Sequence, residues 1–161
     1  MTATPPRQDD GTSAAEARAI TEQFLRDVTH SIIESINRRN WNSAVWDNMS
    51  DDFIAQNEDS RWTSGVTLQK HLSNLSHITK IYPDSRADIL DLSVLISDAD
   101  TQAEVTINLE TKNAPAGGPH IQHVYIMEWK KGAEGWKCTK YRGIAGMAGP
   151  SMFGGTLSQY L

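Results

Sequence analysis

An α+β fold, with three N-terminal helices followed by a curved antiparallel sheet, is predicted by three features of the sequence. Apolar residues recur at helical spacing through the first half, at Ile20, Phe24, Val28, Ile32 and Ile36, and again through Leu68, His71, Leu75, Ile78 and Tyr82. From residue 87 onward the period falls to two, the spacing of a half-buried strand. Between residues 120 and 145, two runs rich in β-branched and aromatic residues flank Lys131-Gly132-Ala133-Glu134-Gly135, the signature of a β-hairpin. Helices first and strands afterwards is an α+β order.

Each element has its own local reason. Residues 1–12, rich in Pro, Thr, Asp and Gln, bury too little apolar surface to offset ordering and read as a disordered tail. Ser13 with Glu16 three residues on is a capping box, and from there the first helix runs to about Arg39, with Leu25 and Ile33 widening its apolar stripe. His30 and Glu34 form a solvated pair one turn apart on its polar side. Asn40 is read as the cap of a short second helix carrying Trp41, Val45 and Met49 at four-residue spacing, with Trp46 beside them. A short strand over 53–57 puts Phe53, Ala55 and Asn57 on one face, and a polar turn region around Trp62 follows. The third helix spans 66–81, with Leu72 alongside its stripe, and Pro83-Asp84 ends it.

The strands come next. Segments 87–97 and 101–112 alternate and meet at the turn Asp98-Ala99-Asp100. In the second, Ala103, Val105, Ile107 and Leu109 oppose Glu104, Thr106, Asn108 and Glu110, so one face is wet or meets another subunit. After the loop 113–119, Ile121, His123, Tyr125, Met127 and Trp129 share one face of the first hairpin strand. Residues 147–161 hold Met147, Met152, Phe153, Leu157, Tyr160 and Leu161, too apolar for a plain tail, and are expected to fold back on the same or a partner subunit. The chain thus divides into a tail, one domain over 13–146 and an extension.

Composition narrows the function classes. A chain of 161 residues, 39% hydrophobic, is the size of one domain that buries its own core. A net charge of −5, with Lys130, Lys131, Lys137 and Lys140 interleaved among apolar residues, argues against nucleic acid as a partner. No stretch is long and apolar enough to span a bilayer, and the N-terminus lacks the apolar segment of a signal peptide, so a cytoplasmic location is expected. The sequons at Asn48 and Asn74 then read as chance occurrences. A single cysteine, Cys138, suits a reducing compartment and reads as a small packed residue within a strand.

A long first helix, the Asn40-Trp41 start of a short one, a strand ending near Gln56-Asn57, a helix after Ser64-Gly65 and a hairpin with Glu134-Gly135-Trp136-Lys137 form a succession similar to the nuclear transport factor 2-like superfamily. Within it the chain looks most like the SnoaL-like polyketide cyclases and related small enzymes of fungal secondary metabolism, over about residues 14–145. The resemblance implies a cone-shaped roll in which the sheet wraps around the helices and leaves an apolar pocket at its open end. It also implies a homodimer paired through the outer sheet face. In the ketosteroid isomerase branch a carboxylate base ends the short strand; that position falls on Asn57, which cannot accept a proton at neutral pH, while Asp59 shares its face if the strand continues. The tyrosine of that branch's first helix is Ile32 or Ile33 here. Trp129-Lys130-Lys131 and Gly135-Trp136-Lys137 resemble the hairpin of the scytalone dehydratase branch. Ile36 and Gln56 stand where its tyrosines lie, and the region near Ala87 lacks its histidine, so dehydration of the same substrate is not supported.

The remaining candidates are polar groups on faces that should be apolar. His123, Tyr125 and Asn57 form the expected catalytic set, with His71, Trp41, Phe53, Met127, Trp129 and Asp59 as substrate-binding residues. For each a plainer role exists: His71 as a core-edge histidine satisfied by a carbonyl, Tyr125 as a packed ring with its hydroxyl at the rim, the tryptophans as core. A desolvated imidazole is a base near neutral pH, a phenol donates to a developing oxyanion, and an amide orients a carbonyl, so the set needs no cofactor. No metal is expected, because His120 and His123 point to opposite faces of their strand. Gly143, Gly146 and Gly149 precede no helix that would make them a phosphate loop. The sequence therefore predicts a cofactor-independent isomerase or cyclase acting on a hydrophobic, oxygenated polyketide or terpenoid intermediate. The alternatives are a non-catalytic binding or dimerisation module on the same fold, or a dehydratase related to scytalone dehydratase.

Overall fold

A computed structural model describes residues 11–57 and 65–144. In chain order these form α1 (Gly11–Asn37), a 3-10 turn (Ala44–Asn48), β1 (Met49–Asn57), β2 (Val66–Thr67), α2 (Leu68–Ile81), β3 (Arg86–Ile96), β4 (Gln102–Lys112), β5 (Ile121–Gly132) and β6 (Gly135–Gly143). The strands make one open, curved sheet in the order β2-β1-β6-β5-β4-β3. The predicted α+β layering holds, with helices and sheet sharing a single core. The C-terminal extension and Trp62 lie outside the described residues.

Four local expectations are corrected. First, α1 begins at Gly11, two residues before the capping box at Ser13. Second, the described residues form two α-helices rather than three. Asn40 caps nothing; Ser43 accepts from the Val45 amide and starts a five-residue 3-10 turn instead. Strand pairing already begins at Met49, opposite Cys138, which leaves no room for an α-helix and lengthens β1 to nine residues. Third, the sheet is mixed, because β1 runs parallel to β6 while the other pairs are antiparallel. About half of the chain separates these two strands, so no turn dictates their direction and no local signal records it. Fourth, Glu34 pairs with Arg38 at 2.6 Å, the next turn along, rather than with His30.

On α1 the buried residues are Leu25, Val28, Thr29, Ile32, Ile33, Ser35 and Ile36, whereas Ile20 is 71% exposed. A strict four-residue repeat drifts about 40° per step on a 3.6-residue helix, so the Ile20-to-Ile36 series cannot all face one way. The helix ends in a Schellman arrangement: the Asn40 amide donates to the Ser35 carbonyl at 2.8 Å, and Arg39 takes the left-handed position at φ 59°. Glycine would be easier there, but the Arg39 guanidinium donates to the carbonyls of Ile36, Asn37, Pro83 and Ser85, tying the helix end to the start of β3.

β3 is an edge strand, and its outer backbone groups need partners. Side chains of α1 supply them. The Asn37 amide donates to the Ala87 carbonyl at 2.8 Å while its oxygen accepts from the Ala87 amide at 2.9 Å. Arg26 donates to the Leu92 carbonyl at 2.8 Å, and Arg18 reaches the carbonyls of Ile96 and Ser97. At the other end of the sheet, Gly65 sits at φ +92° with its Cα against β1, where a Cβ would collide with the side chain of Ile54. Among the described residues no helix is long and apolar enough to cross a membrane.

Replacing Asn37 by Ala removes two hydrogen bonds and strands both backbone groups of Ala87, which is expected to cost about 2–3 kcal/mol in urea unfolding. Arg38→Ala, which removes only an exposed ion pair, is expected to change stability by about 0.5 kcal/mol or less. Equal effects of the two substitutions would mean that the edge contacts contribute little.

Candidate functional site

The alternation read in β5 is the alternation observed. His123 (6% exposed), Tyr125 (2%), Met127 and Trp129 are buried on the concave face, and their neighbours in sequence are not. β4 continues that face with Ala103, Val105, Ile107 and Leu109, each paired across to the β5 row.

β6 departs from simple alternation. Trp129 pairs with Cys138 and Glu128 with Lys140, so Thr139 is an extra residue and the strand bulges there. A bulge shifts the side-chain parity by one. Trp136 and Cys138 face inward before it, and Tyr141 faces inward after it, opposite Met127. Tyr141 is thus a site residue that the sequence reading missed. A signal was present: Lys140 and Arg142 favour solvent and would force Tyr141 inward, in conflict with the parity of Trp136 and Cys138, and only a bulge reconciles the two.

The consequence is a contiguous ladder of polar rings. His71, from α2, lies 5.3 Å from Tyr141 between ring centroids; Tyr141 stacks on Tyr125 at 5.0 Å with planes 18° apart; and Tyr125 lies 6.0 Å from His123. Phe53 of β1 closes the His71 end at 6.4 Å. Four elements supply these rings: β1, α2 and the two strands of the β5–β6 hairpin. Thr67 starts α2 by accepting from the Lys70 amide, which sets the rotation that turns His71 and Leu75 to the core.

The electrostatics follow from burial. Desolvation lowers His71 from the ordinary histidine value to about 4, and it lowers His123 as well, so both rings are neutral at pH 7. The Tyr141 phenol is pushed well above its usual value, by burial first and then by the neighbouring Tyr125 phenol. The two hydroxyls interact, but their geometry falls short of a hydrogen bond for Tyr141. His123 Nε2, Tyr141 Oη, Trp129 Nε1 and Thr111 Oγ1 are all buried without a hydrogen-bond partner. The buried positions of β3 to β6 carry no Asp, Glu, Lys or Arg, and Lys131, on the inward alternation of β5, lies exposed at the strand's end opposite Trp136.

Of the predicted site residues, the structure brings together His123, Tyr125, His71 and Phe53, with Met127 and Trp129 buried on the same face. Asn57 ends β1 with its Cα opposite Gly143, which is itself opposite Tyr125, so Asn57 and Tyr125 occupy one row across the sheet. Asp59 lies outside the described residues. Trp41 packs half-buried at the edge of the core and is in no ring contact with this set among the described residues. Trp129 meets Phe24 edge-on at 6.5 Å.

Cys138 is fully buried, with its thiol pushed up by desolvation, as befits a packed residue. A groove of about 690 Å³ lies elsewhere, between the 3-10 turn, the start of α2 and the β5–β6 turn. It is lined by Trp46, Asp47, Asp51, Gln69, Glu134 and Lys137 among others, and takes in none of the predicted residues. Among the described residues no group of three or more metal-binding side chains gathers, and His120 turns away from His123 to lie 3.4 Å from Glu110.

No family model matches the chain, and no curated protein matches it in sequence. Solved structures do match. An NTF2-like protein with a cystatin-like fold from Novosphingobium aromaticivorans superposes with a TM-score of 0.66 at 10% identity, covering 86% of this chain and 90% of that one. The hexachlorocyclohexane dehydrochlorinase LinA-type3 of Novosphingobium barchaimii gives 0.63 at 15% identity, over 81% and 90%. The CaMKII hub of S. rosetta gives 0.60 at 16% identity, over 79% and 96%. At these identities the likeness is one of fold: the chain has the NTF2-like fold, and enzymes that process small molecules occur on it.

Two buried neutral histidines imply acid sensitivity of a definite sign. The unfolded chain binds their protons near pH 6.5 and the folded chain only at lower pH, so stability is fully present above about 6.5 and falls as pH drops toward 4. Chemical-denaturation midpoints measured across that window should decline, and His71→Phe should flatten the decline. An unchanged slope in the variant would mean that His71 is protonated in the folded state.

Proposed function

We propose that the protein is a cofactor-independent isomerase or cyclase that moves protons on a hydrophobic, oxygenated natural-product intermediate, a polyketide or terpenoid, held against the concave face. The observation that carries this reading is His123: a neutral imidazole, buried beside Tyr125, whose Nε2 has no hydrogen-bond partner. Buried polar atoms are ordinarily satisfied, and exceptions concentrate where something binds. In this reading Nε2 takes a proton from carbon next to a carbonyl, the Tyr125 hydroxyl donates to the oxygen as charge gathers there, and Asn57 orients the same group from across the row. The protonated His123 then returns the proton at the new position. Acid–base help of this kind contributes about 10²- to 10⁴-fold per group, enough to rearrange a reactive intermediate.

The resemblance to SnoaL-like enzymes supports the substrate class, and a dehydrochlorinase on the same fold supports small-molecule chemistry in general. The enzyme would work in the cytoplasm as a homodimer. Support for the dimer comes from the outer sheet face, where Val124, Ile126, the 42%-exposed Ile144 and the 70%-exposed Leu95 lie among the ion pairs of Arg142 with Glu104 and Glu128. A second reading, a non-catalytic module in which these polar groups hold a ligand passively, is favoured by the asparagine at position 57 and by the fold likeness to a CaMKII hub.

The test is to make His123→Phe, Tyr125→Phe and Asn57→Leu singly and measure unfolding and turnover separately on a panel of polyketide and terpenoid ketones. His123→Phe and Tyr125→Phe should each lower turnover by about 10²-fold or more while the fold persists. Activity requires neutral His123, so the acidic limb of the pH profile should fall below pH 6.5. Three variants that grow more stable and turn over unchanged would end the catalytic reading.

A further inference from the structure

Tyr141 stands apart from the residues assigned above. Its side chain is 93% buried, its hydroxyl interacts with the Tyr125 phenol but reaches no partner at full hydrogen-bond geometry, and nothing in the proposed proton transfer uses it. A buried hydroxyl without a partner costs about 1–3 kcal/mol, a cost that phenylalanine at the same position would avoid. The ring is also held rather than free. Tyr125 stacks against it from one strand and His71 tilts against it from α2, with Phe53 behind His71. Two neighbours on different elements restrict the direction in which the hydroxyl can point, the arrangement a recognition group needs.

The surroundings limit what it can recognise. Both histidines in the ladder are neutral at pH 7, and no buried position of β3 to β6 holds an ionised side chain. A carboxylate or phosphate placed there would lose its water without gaining a counter-charge, a penalty of several kcal/mol. A ketone, quinone or lactone oxygen loses far less and accepts from a phenol directly. We propose that Tyr141 is a ligand-binding residue whose hydroxyl donates to the carbonyl oxygen of an uncharged ligand, and that this pairing selects neutral carbonyl compounds over their carboxylate analogues. The inference rests on the reading that the concave face holds a ligand, but not on any reaction there.

Three probes of one shape separate the possibilities: 2-acetylnaphthalene, 2-ethylnaphthalene and 2-naphthoate, titrated against the full chain by tryptophan fluorescence quenching. Wild type should bind the ketone about tenfold more tightly than the hydrocarbon, the worth of one hydrogen bond, and naphthoate more weakly than either. Tyr141→Phe should reduce the ketone to the affinity of the hydrocarbon while leaving the hydrocarbon within about twofold. Difference infrared spectra of carbonyl-¹³C 2-acetylnaphthalene supply a readout that packing alone would not move. The band should lie below its position in hexane when bound to wild type and return upward in Tyr141→Phe. A ketone preference that survives in Tyr141→Phe, naphthoate binding as tightly as the ketone, or a bound wild-type band at the hexane position would each overturn the inference. The last needs no variant to fold. A protein without turnover that shows the Tyr141-dependent preference would uphold this inference while ending the isomerase reading; binding of no probe at all would end both.

Discussion

The side chains that α1 lays along the open edge of β3 are the contacts on which the rest of the structure depends. A curved sheet buries one face only if something fills the hollow, and a helix lying there leaves the adjacent edge strand with unpaired backbone groups. Asn37, Arg26 and Arg18 meet those groups at three heights along β3, and Arg39 fastens the helix end to the loop before it. With the helix held at this edge, Leu25, Val28, Ile32, Ile33 and Ile36 cover part of the concave face, and the rows of β5 and β6 become part of the packed interior rather than the surface of a sheet.

Within that interior, burial accounts for the chemistry. The same desolvation that would penalise charged side chains keeps His71 and His123 neutral and Tyr141 protonated. The result is a set of polar groups without net charge, arranged as four neighbouring rings from α2 to β5. Ion pairs gather on the opposite face, where Arg142 meets Glu128 and Lys112 meets Asp88 and Glu110 in reach of water. Segregating charge outward and neutral polar groups inward is what a site for an uncharged, mostly apolar ligand requires.

The bulge at Thr139 links fold to site. One extra residue turns Tyr141 from the outer to the inner face, joins the histidine of α2 to the pair on β5, and places Gly143 between Asn57 and Tyr125 in one row across the sheet. Without it the ladder would break between His71 and Tyr125, leaving His71 apart from the Tyr125–His123 pair.

What the amino-acid order determined by itself was the local periodicity: the apolar stripes of α1 and α2, the alternation of β4 and β5, and hence the inward aim of His123 and Tyr125. These follow from side-chain spacing of 3.6 and 2 residues, which is a property of neighbours in the chain. Tertiary structure alone decided the parallel pairing of β1 with β6, the shrinkage of the second helix to a 3-10 turn, and the meeting of His71 with Tyr141. Each of these depends on partners dozens of residues away, whose packing selects a register that no local spacing encodes. The ionisation states of the site belong to the same category, since desolvation is set by everything that surrounds a group and not by its place in the chain.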